Sequence, residues 1–335
     1  MTHFIYFTIS RRQTSVQNLL GKSDLSISRI GIGGNVFGSY VETKEAHEIL
    51  HHAGSLGINF IDTADVYGNN TSEDIIGKFL KYESDRSKWI VATKLGTRKG
   101  QAPELTATPK MIAEKVERSL KTLRTDVIDL YQIHRFDPET AIEDTVQALE
   151  SLVQQGKIRY YGICNFTFGQ MESIIKCKAD NASFVSAQMG LNLFKRKHLP
   201  MVLPVCDDNN IGVLAYGVLA RGILTDKYIK DAQSPNSRAN LSKSIKDDVT
   251  PFMINKIKQL NEFAKSHSQS LLSVALSWAL YQKPVCSAIL GNRNKQQLTQ
   301  NLNSISLALD GNYTRDLDNI IGSLETYDPY CLGVF

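Results

Sequence analysis

The chain has 335 residues, of which 42% are hydrophobic and 21% charged, the composition of an ordinary globular protein able to bury a large core. Its 38 basic and 34 acidic side chains leave a formal charge of +4, too small and too dispersed to point to nucleic acid; the densest cluster, Lys195-Arg196-Lys197, reads as a solvated turn. No apolar run approaches the roughly 20 residues of a membrane span, and five scattered cysteines without a CxxC argue against a disulfide framework and for a reducing cytoplasm.

Residues 1–15 read as an extension ahead of the fold, because the apolar stretch Phe4–Ile9 is too short for a signal-peptide core and its charges follow it. Leu19 to Ile27 predicts a β-hairpin. Then come short apolar runs at Arg29–Gly33, Ile58–Ile61, Trp89–Thr93, Val127–Ile133, Ile158–Ile163, Phe184–Ala187, Ile211–Ala215 and Val285–Ile289. Each is rich in Ile and Val and bounded by polar residues or glycine, as buried parallel strands are. Helical periodicity separates them. Thr43–Leu56 carries Ala46, Ile49, Leu50 and Ala53 on one face. Pro109–Leu123 opens on a Thr108 cap with proline in its first turn, and Thr140–Gln155 ends at Gly156. Phe168–Lys178, Pro251–Lys265 and Lys295–Ile305 continue the series. Eight such β/α pairs predict a closed (β/α)8 barrel over residues 16–335, a TIM barrel in a single α/β domain with the hairpin at its start. The irregular stretch Thr225–Thr250 follows the seventh strand and reads either as a lid over the mouth or as a tolerated insertion; the chain then ends in a C-terminal extension.

Sites in such barrels lie at the C-terminal ends of the strands. The second run leads to Asp62 and then Tyr67, the third to Lys94 and the fourth to His134. Any one of these alone is most often a cap, a packing residue or a surface charge. Together they place a carboxylate, a phenol, an ammonium and an imidazole at one mouth. A phenol titrates near about 10, too high to exchange protons freely at neutral pH, and a neighbouring ammonium lowers that value. The set therefore reads as carbonyl chemistry: Tyr67 gives the proton, Lys94 tunes it, Asp62 holds the lysine and His134 orients the substrate oxygen. None of the four supplies a hydride, so a cofactor is required.

These segments resemble the aldo-keto reductase superfamily over about residues 16 to 325. The resemblance rests on Ile30-Gly31-Ile32-Gly33-Gly34, on Asp62-Thr63-Ala64-Asp65-Val66-Tyr67-Gly68, and on Ala92-Thr93-Lys94. It continues through Asp129-Leu130-Tyr131-Gln132-Ile133-His134, Gly162-Ile163-Cys164-Asn165, Leu214-Ala215-Tyr216-Gly217 and Gly291-Asn292-Arg293. It implies a barrel that binds NADP(H), with NAD(H) as the alternative, and reduces a small aldehyde or ketone. It implies a catalytic tetrad of Asp62, Tyr67, Lys94 and His134. It places Asn165 and Gln188 at the nicotinamide amide, Tyr216 on the ring face, Gly34 near the ribose, and Leu219 and Arg221 along the pyrophosphate. Gly291, Arg293, Gln297 and Asn301 would surround the adenosine end, with Arg293 suited to a 2′-phosphate and, alternatively, to capping the last barrel helix. Cys164 and Gly217 stand where serine is common, Gly34 where threonine is frequent, and the adenosine segment lacks a lysine some branches use. Asn35, Phe37, Phe136, the loop after Gly222 and Tyr330–Phe335 are the expected pocket walls.

Three other readings compete. His47-Glu48-Ile49-Leu50-His51 spells the HExxH of zinc hydrolases, yet both histidines lie off the apolar stripe of their helix and no third ligand follows. Gly31-Ile32-Gly33-Gly34-Asn35-Val36 resembles a dinucleotide-binding loop but has valine at the sixth position, where glycine or alanine is needed. A cofactor-holding regulatory subunit, similar to potassium-channel beta subunits, is the third.

Overall fold

The computed structural model describes residues 17–96, 107–177, 183–196, 199–225, 251–305, 309 and 311–322. Three expectations lie outside these residues: the N-terminal extension, the 226–250 part of the long loop and the C-terminal wall at 330–335.

A short antiparallel hairpin comes first, β1 (Gln17–Leu19) with β2 (Ser26–Ser28), in the register Gln17 opposite Ser28. Eight strands then close a parallel barrel: β3 (Ile30–Gly33), β4 (Phe60–Asp62), β5 (Ile90–Leu95), β6 (Ile128–Ile133), β7 (Ile158–Cys164), β8 (Phe184–Gly190), β9 (Gly212–Tyr216) and β10 (Val285–Leu290), with β10 bonded back to β3. Gly31 and Gly33 are thus residues of a barrel strand, which removes the dinucleotide-loop reading.

The hairpin plugs the N-terminal end. Leu20, Leu25 and Ile27 are buried against Phe60, Ala92, Leu130 and Leu214, the side chains that fill the barrel interior. At the same end Asp129 accepts from Val91 N (3.0 Å), Arg86 (3.1 Å) and Arg159 (3.0 Å), tying β5, β6 and β7 together. Asp129 therefore serves the base of the barrel, at the opposite end of β6 from the mouth.

The surrounding helices bury the stripes expected of them. Helix α1 (Thr43–Ser55) buries Ala46, Ile49, Leu50 and Ala53. Helix α3 (Pro109–Leu123), which follows α2 (Ser72–Tyr82), begins where the Thr108 hydroxyl accepts from Met111 N. Helices α4 (Ile142–Gln154) and α5 (Phe168–Cys177) follow β6 and β7. Four helices stand outside the series expected from the sequence. Helix α2 lies directly behind the Tyr67 motif. Helix α6 (Leu199–Asp208) carries Pro204 inside it, which reads as a breaker. Two helices separate β9 from β10: α7 (Pro251–Ser266), which was expected, and α8 (Leu271–Tyr281), which was not. Helix α8 is apolar on every side and buried from Leu271 to Leu280, so it has no stripe to detect. Helix α9 (Lys295–Asn303) follows the last barrel strand, and α10 (Gly311–Ile321) packs Tyr313, Leu317 and Ile321 inward. No helix among the described residues is long and apolar enough to cross a membrane, and no disulfide joins the cysteines among the described residues.

Candidate active site

Three strands deliver the four side chains to one mouth. Asp62 is the last residue of β4, and His134 follows β6. Lys94 lies within β5, one residue before its end, rather than beyond it. Parallel pairing puts Asp62 beside Ala92, and Lys94 beside Gln132, so their side chains share the barrel interior.

Lys94 is fully buried, and its ammonium is the hub. Nζ donates to Asp62 Oδ2 at 2.7 Å, to the Thr63 carbonyl at 2.8 Å and to the Tyr67 hydroxyl at 3.4 Å. An ammonium has three protons, and each has an acceptor here. The Tyr67 oxygen accepts from Lys94, which leaves the tyrosine's own proton directed elsewhere. Burial works against the Lys94 cation, but the charge of Asp62, helped by Tyr67 and Cys164, outweighs it and holds the lysine above its ordinary pKa.

Tyr67 differs from the sequence expectation. Lys94 does pull its pKa down, but burial is the larger influence and Asp62 adds to it, so the phenol is pushed up to about 12. The His134 ring meets the Tyr67 ring edge-on, with centroids 5.7 Å apart. Burial, then the charges of Lys94 and Arg135, lowers His134 to about 3, so the imidazole is neutral across the physiological range.

The loop carrying Tyr67 is fixed from both sides. Asp65 accepts from Lys115 of α3 at 2.7 Å and from Gly96 N at 2.9 Å. Gly68 has φ +56°, and a Cβ there would lie 2.0 Å from the Phe37 carbonyl. Gly34 makes a similar close approach: a Cβ would lie 2.8 Å from the Ser72 hydroxyl. Ser72 Oγ bonds Gly34 O (2.8 Å) and Thr63 Oγ1 (2.9 Å). Two hydroxyls from the following segment thus occupy the room that a threonine at position 34 would need.

The two amides expected at the nicotinamide flank Cys164 and are linked to the central group. Gln188 donates to Asp62 Oδ1 at 2.8 Å and accepts from the Cys164 thiol at 3.1 Å. Asn165 donates to the His134 carbonyl (3.2 Å) and accepts from the Tyr216 hydroxyl (2.5 Å). Tyr216 ends β9, and the turn after it holds Ala220 and Arg221 at φ +45° and +59°. Leu219 packs against the core beside this turn.

A family model described as "Aldo/keto reductase family" matches residues 29–321. The chain belongs to the aldo-keto reductase family. It is 33% identical to "Aldo-keto reductase YhdN" of Bacillus subtilis, over 90% of this chain and 92% of that protein. It is 30% identical to a protein of Arabidopsis thaliana named "Probable voltage-gated potassium channel subunit beta", over 86% of this chain and 90% of that one. Among solved structures, the glycerol dehydrogenase AKR11B4 from Gluconobacter oxydans superposes with a TM-score of 0.78 at 29% identity, covering 94% of this chain and 98% of that one.

In this aldo-keto reductase the expected adenosine-end residues meet at the start of α9. Asn294, not Arg293, caps that helix by accepting from Gln297 N, so the capping alternative for Arg293 fails. Gln297 Oε1 accepts from Arg293 N at 2.9 Å, and Asn301 bonds Asn292 at 2.8 Å. Both side chains brace the turn that begins at Gly291 and carries Arg293. Arg293 itself keeps a buried Nη2 that has no hydrogen-bond partner among the described residues. An unpaired buried guanidinium nitrogen is costly unless something anionic meets it, which fits a phosphate-bearing cofactor.

Other expectations changed on folding. Phe37 has no exposure and belongs to the core, so it cannot line a pocket. Asn35 is exposed, and Phe136 packs edge-on against Phe166 with centroids 5.6 Å apart. The HExxH histidines make the contacts of a packed outer helix: His47 bonds the Ile75 carbonyl at 2.9 Å, and His51 pairs with Glu83 at 3.3 Å against Phe79. Gln132 is a further member of the site, outside those expected from the sequence. It donates to Asp62 Oδ1 at 3.4 Å from inside the barrel. A signal was present, because Gln132 is a lone amide at the inward-facing position two residues after Leu130.

Proposed function

We propose that this oxidoreductase reduces a small aldehyde or ketone to the alcohol, using NADPH in preference to NADH and Tyr67 as the proton donor. The observation that supports this most is the buried Lys94 ammonium, shared between Asp62, the Thr63 carbonyl and the Tyr67 hydroxyl.

The chemistry follows from what each side chain can do. A reduced nicotinamide, when bound, supplies the hydride. Tyr67 is a neutral phenol whose raised pKa keeps it protonated, so it is an acid ready to give its proton to a carbonyl oxygen gaining charge. Lys94 donates to the same phenolic oxygen and stabilises the phenolate left behind. Asp62 offsets the cost of burying that ammonium, and Gln188 and Gln132 hold its other oxygen. His134, neutral and set against the Tyr67 ring, is an uncharged hydrogen-bonding partner for the substrate oxygen. Asn165, Gln188 and Tyr216 would hold the nicotinamide end, with Gly34 close to its ribose. The turn with Leu219 and Arg221 would take the pyrophosphate, and Gly291 and Arg293, braced by Gln297 and Asn301, the adenosine end.

The test is turnover of a generic carbonyl such as nitrobenzaldehyde with NADPH, read as loss of the reduced cofactor. The pH profile of kcat is expected to be flat from about pH 6 to about pH 9. The acid form of Tyr67 persists because its pKa is raised, and His134 stays neutral because its own is lowered. A midpoint inside that range would overturn these protonation states. Cofactor binding without measurable reduction of any carbonyl would instead favour a regulatory role, like the one named for the Arabidopsis thaliana relative.

Arg293→Ala is expected to raise the Kd of NADPH at least ~30-fold, measured by cofactor fluorescence, and that of NADH less than about threefold. Only the former bears a 2′-phosphate. Equal losses for both would remove Arg293 from cofactor discrimination.

A further inference from the structure

Arg293 does not stand alone at the adenosine end. Its guanidinium carbon lies 5.0 Å from the centroid of the Tyr40 ring. Tyr40 is 58% exposed. It sits in the turn after β3, where Tyr40 N and Val41 N both bond the Val36 carbonyl (2.9 and 3.0 Å). Arg293 sits in the turn after β10, the strand paired with β3. Two hydrogen-bonded turns on neighbouring strands thus bring a ring face and a guanidinium together.

We propose that Tyr40 is a positioning residue for cofactor discrimination: its ring holds the Arg293 guanidinium ready for the 2′-phosphate of NADPH. The proposal rests on the reading of Arg293 as the 2′-phosphate partner. A long, flexible side chain loses rotamer freedom when it grips a ligand, and prior immobilisation removes that cost. The backbone at Arg293 is already fixed, by Gln297 on its amide and by the Asn294 cap that follows. The side chain needs a second restraint, and the Tyr40 face supplies it through a cation–π contact. That contact sets the guanidinium carbon over the ring face. It gives Nη2 no hydrogen-bond partner among the described residues, so that nitrogen still lacks the acceptor a phosphate would supply. The cation–π contact and phosphate pairing can therefore coexist on one arginine.

The experiment uses the full chain and four probes by calorimetry: NADPH, NADH, adenosine 2′,5′-bisphosphate and adenosine 5′-monophosphate. Tyr40→Ala is expected to raise the Kd of the two 2′-phosphorylated probes about five- to tenfold, leaving the other two within about twofold. Tyr40→Phe keeps the ring face and is expected to stay within about twofold of wild type for all four. In an Arg293→Ala background, Tyr40→Ala should change nothing further. Unchanged NADPH affinity in Tyr40→Ala, or equal losses for NADPH and NADH, overturns the proposal. The two readings separate cleanly. If Arg293→Ala removes the NADPH preference and Tyr40→Ala does not, only the positioning role fails. If Arg293→Ala leaves the preference intact, the 2′-phosphate reading fails with it.

Discussion

Tyr67→Phe is expected to lower kcat for carbonyl reduction at least ~10³-fold while NADPH binds with a Kd within about twofold of wild type. The substitution removes one oxygen and keeps the ring, so the edge-on packing against His134 survives. What is lost is the acid, together with the acceptor for one Lys94 proton. The remaining groups still orient a carbonyl but cannot protonate it. Lys94 is no substitute, because its raised pKa makes it a poorer donor and its protons point to Asp62 and the Thr63 carbonyl. Single-turnover reduction beside a cofactor titration separates the two effects. A variant retaining a tenth of the wild-type rate would mean that another group delivers the proton.

Lys94→Met is expected to damage stability and activity together, and a second substitution should separate them. The Lys94 and Asp62 side chains are 0% and 4% exposed, and their charges meet at 2.7 Å. Removing one partner leaves the other buried and uncompensated, a loss of about 3–5 kcal/mol. Asp62→Asn in the Lys94→Met background removes the orphaned charge. The asparagine can still accept from Gln188 and Gln132, which now bond Asp62 Oδ1. The double variant is therefore expected to recover most of the stability, read by urea denaturation, yet to keep a kcat loss of at least ~10²-fold. Recovery of activity along with stability would make the pair structural only. A single variant as stable as wild type would show that the pair is not desolvated in solution.

The barrel was legible because its strands are buried on both faces and read as short apolar runs, while most of its helices show one stripe. The errors have the same cause. Helix α8 has no polar face to set against an apolar one, and α6 contains a proline that reads as a breaker, so neither is marked as a helix in the sequence. The site was legible through order: Asp62, Tyr67, Lys94 and His134 each stand at or near the end of a recognisable strand. Gln132 escaped attention because an amide inside a strand has no motif around it.

From the sequence came the parallel barrel, its family and the four side chains at its mouth, because strand period and strand-end position are local properties of the chain. Tertiary structure alone decided how those groups behave. It made Tyr67 a firmly protonated phenol, since burial depends on what the rest of the chain stacks around it. It turned Gln188 toward Asp62 and set Tyr40 against Arg293, contacts between residues 126 and 253 positions apart whose meeting depends on how the barrel closes.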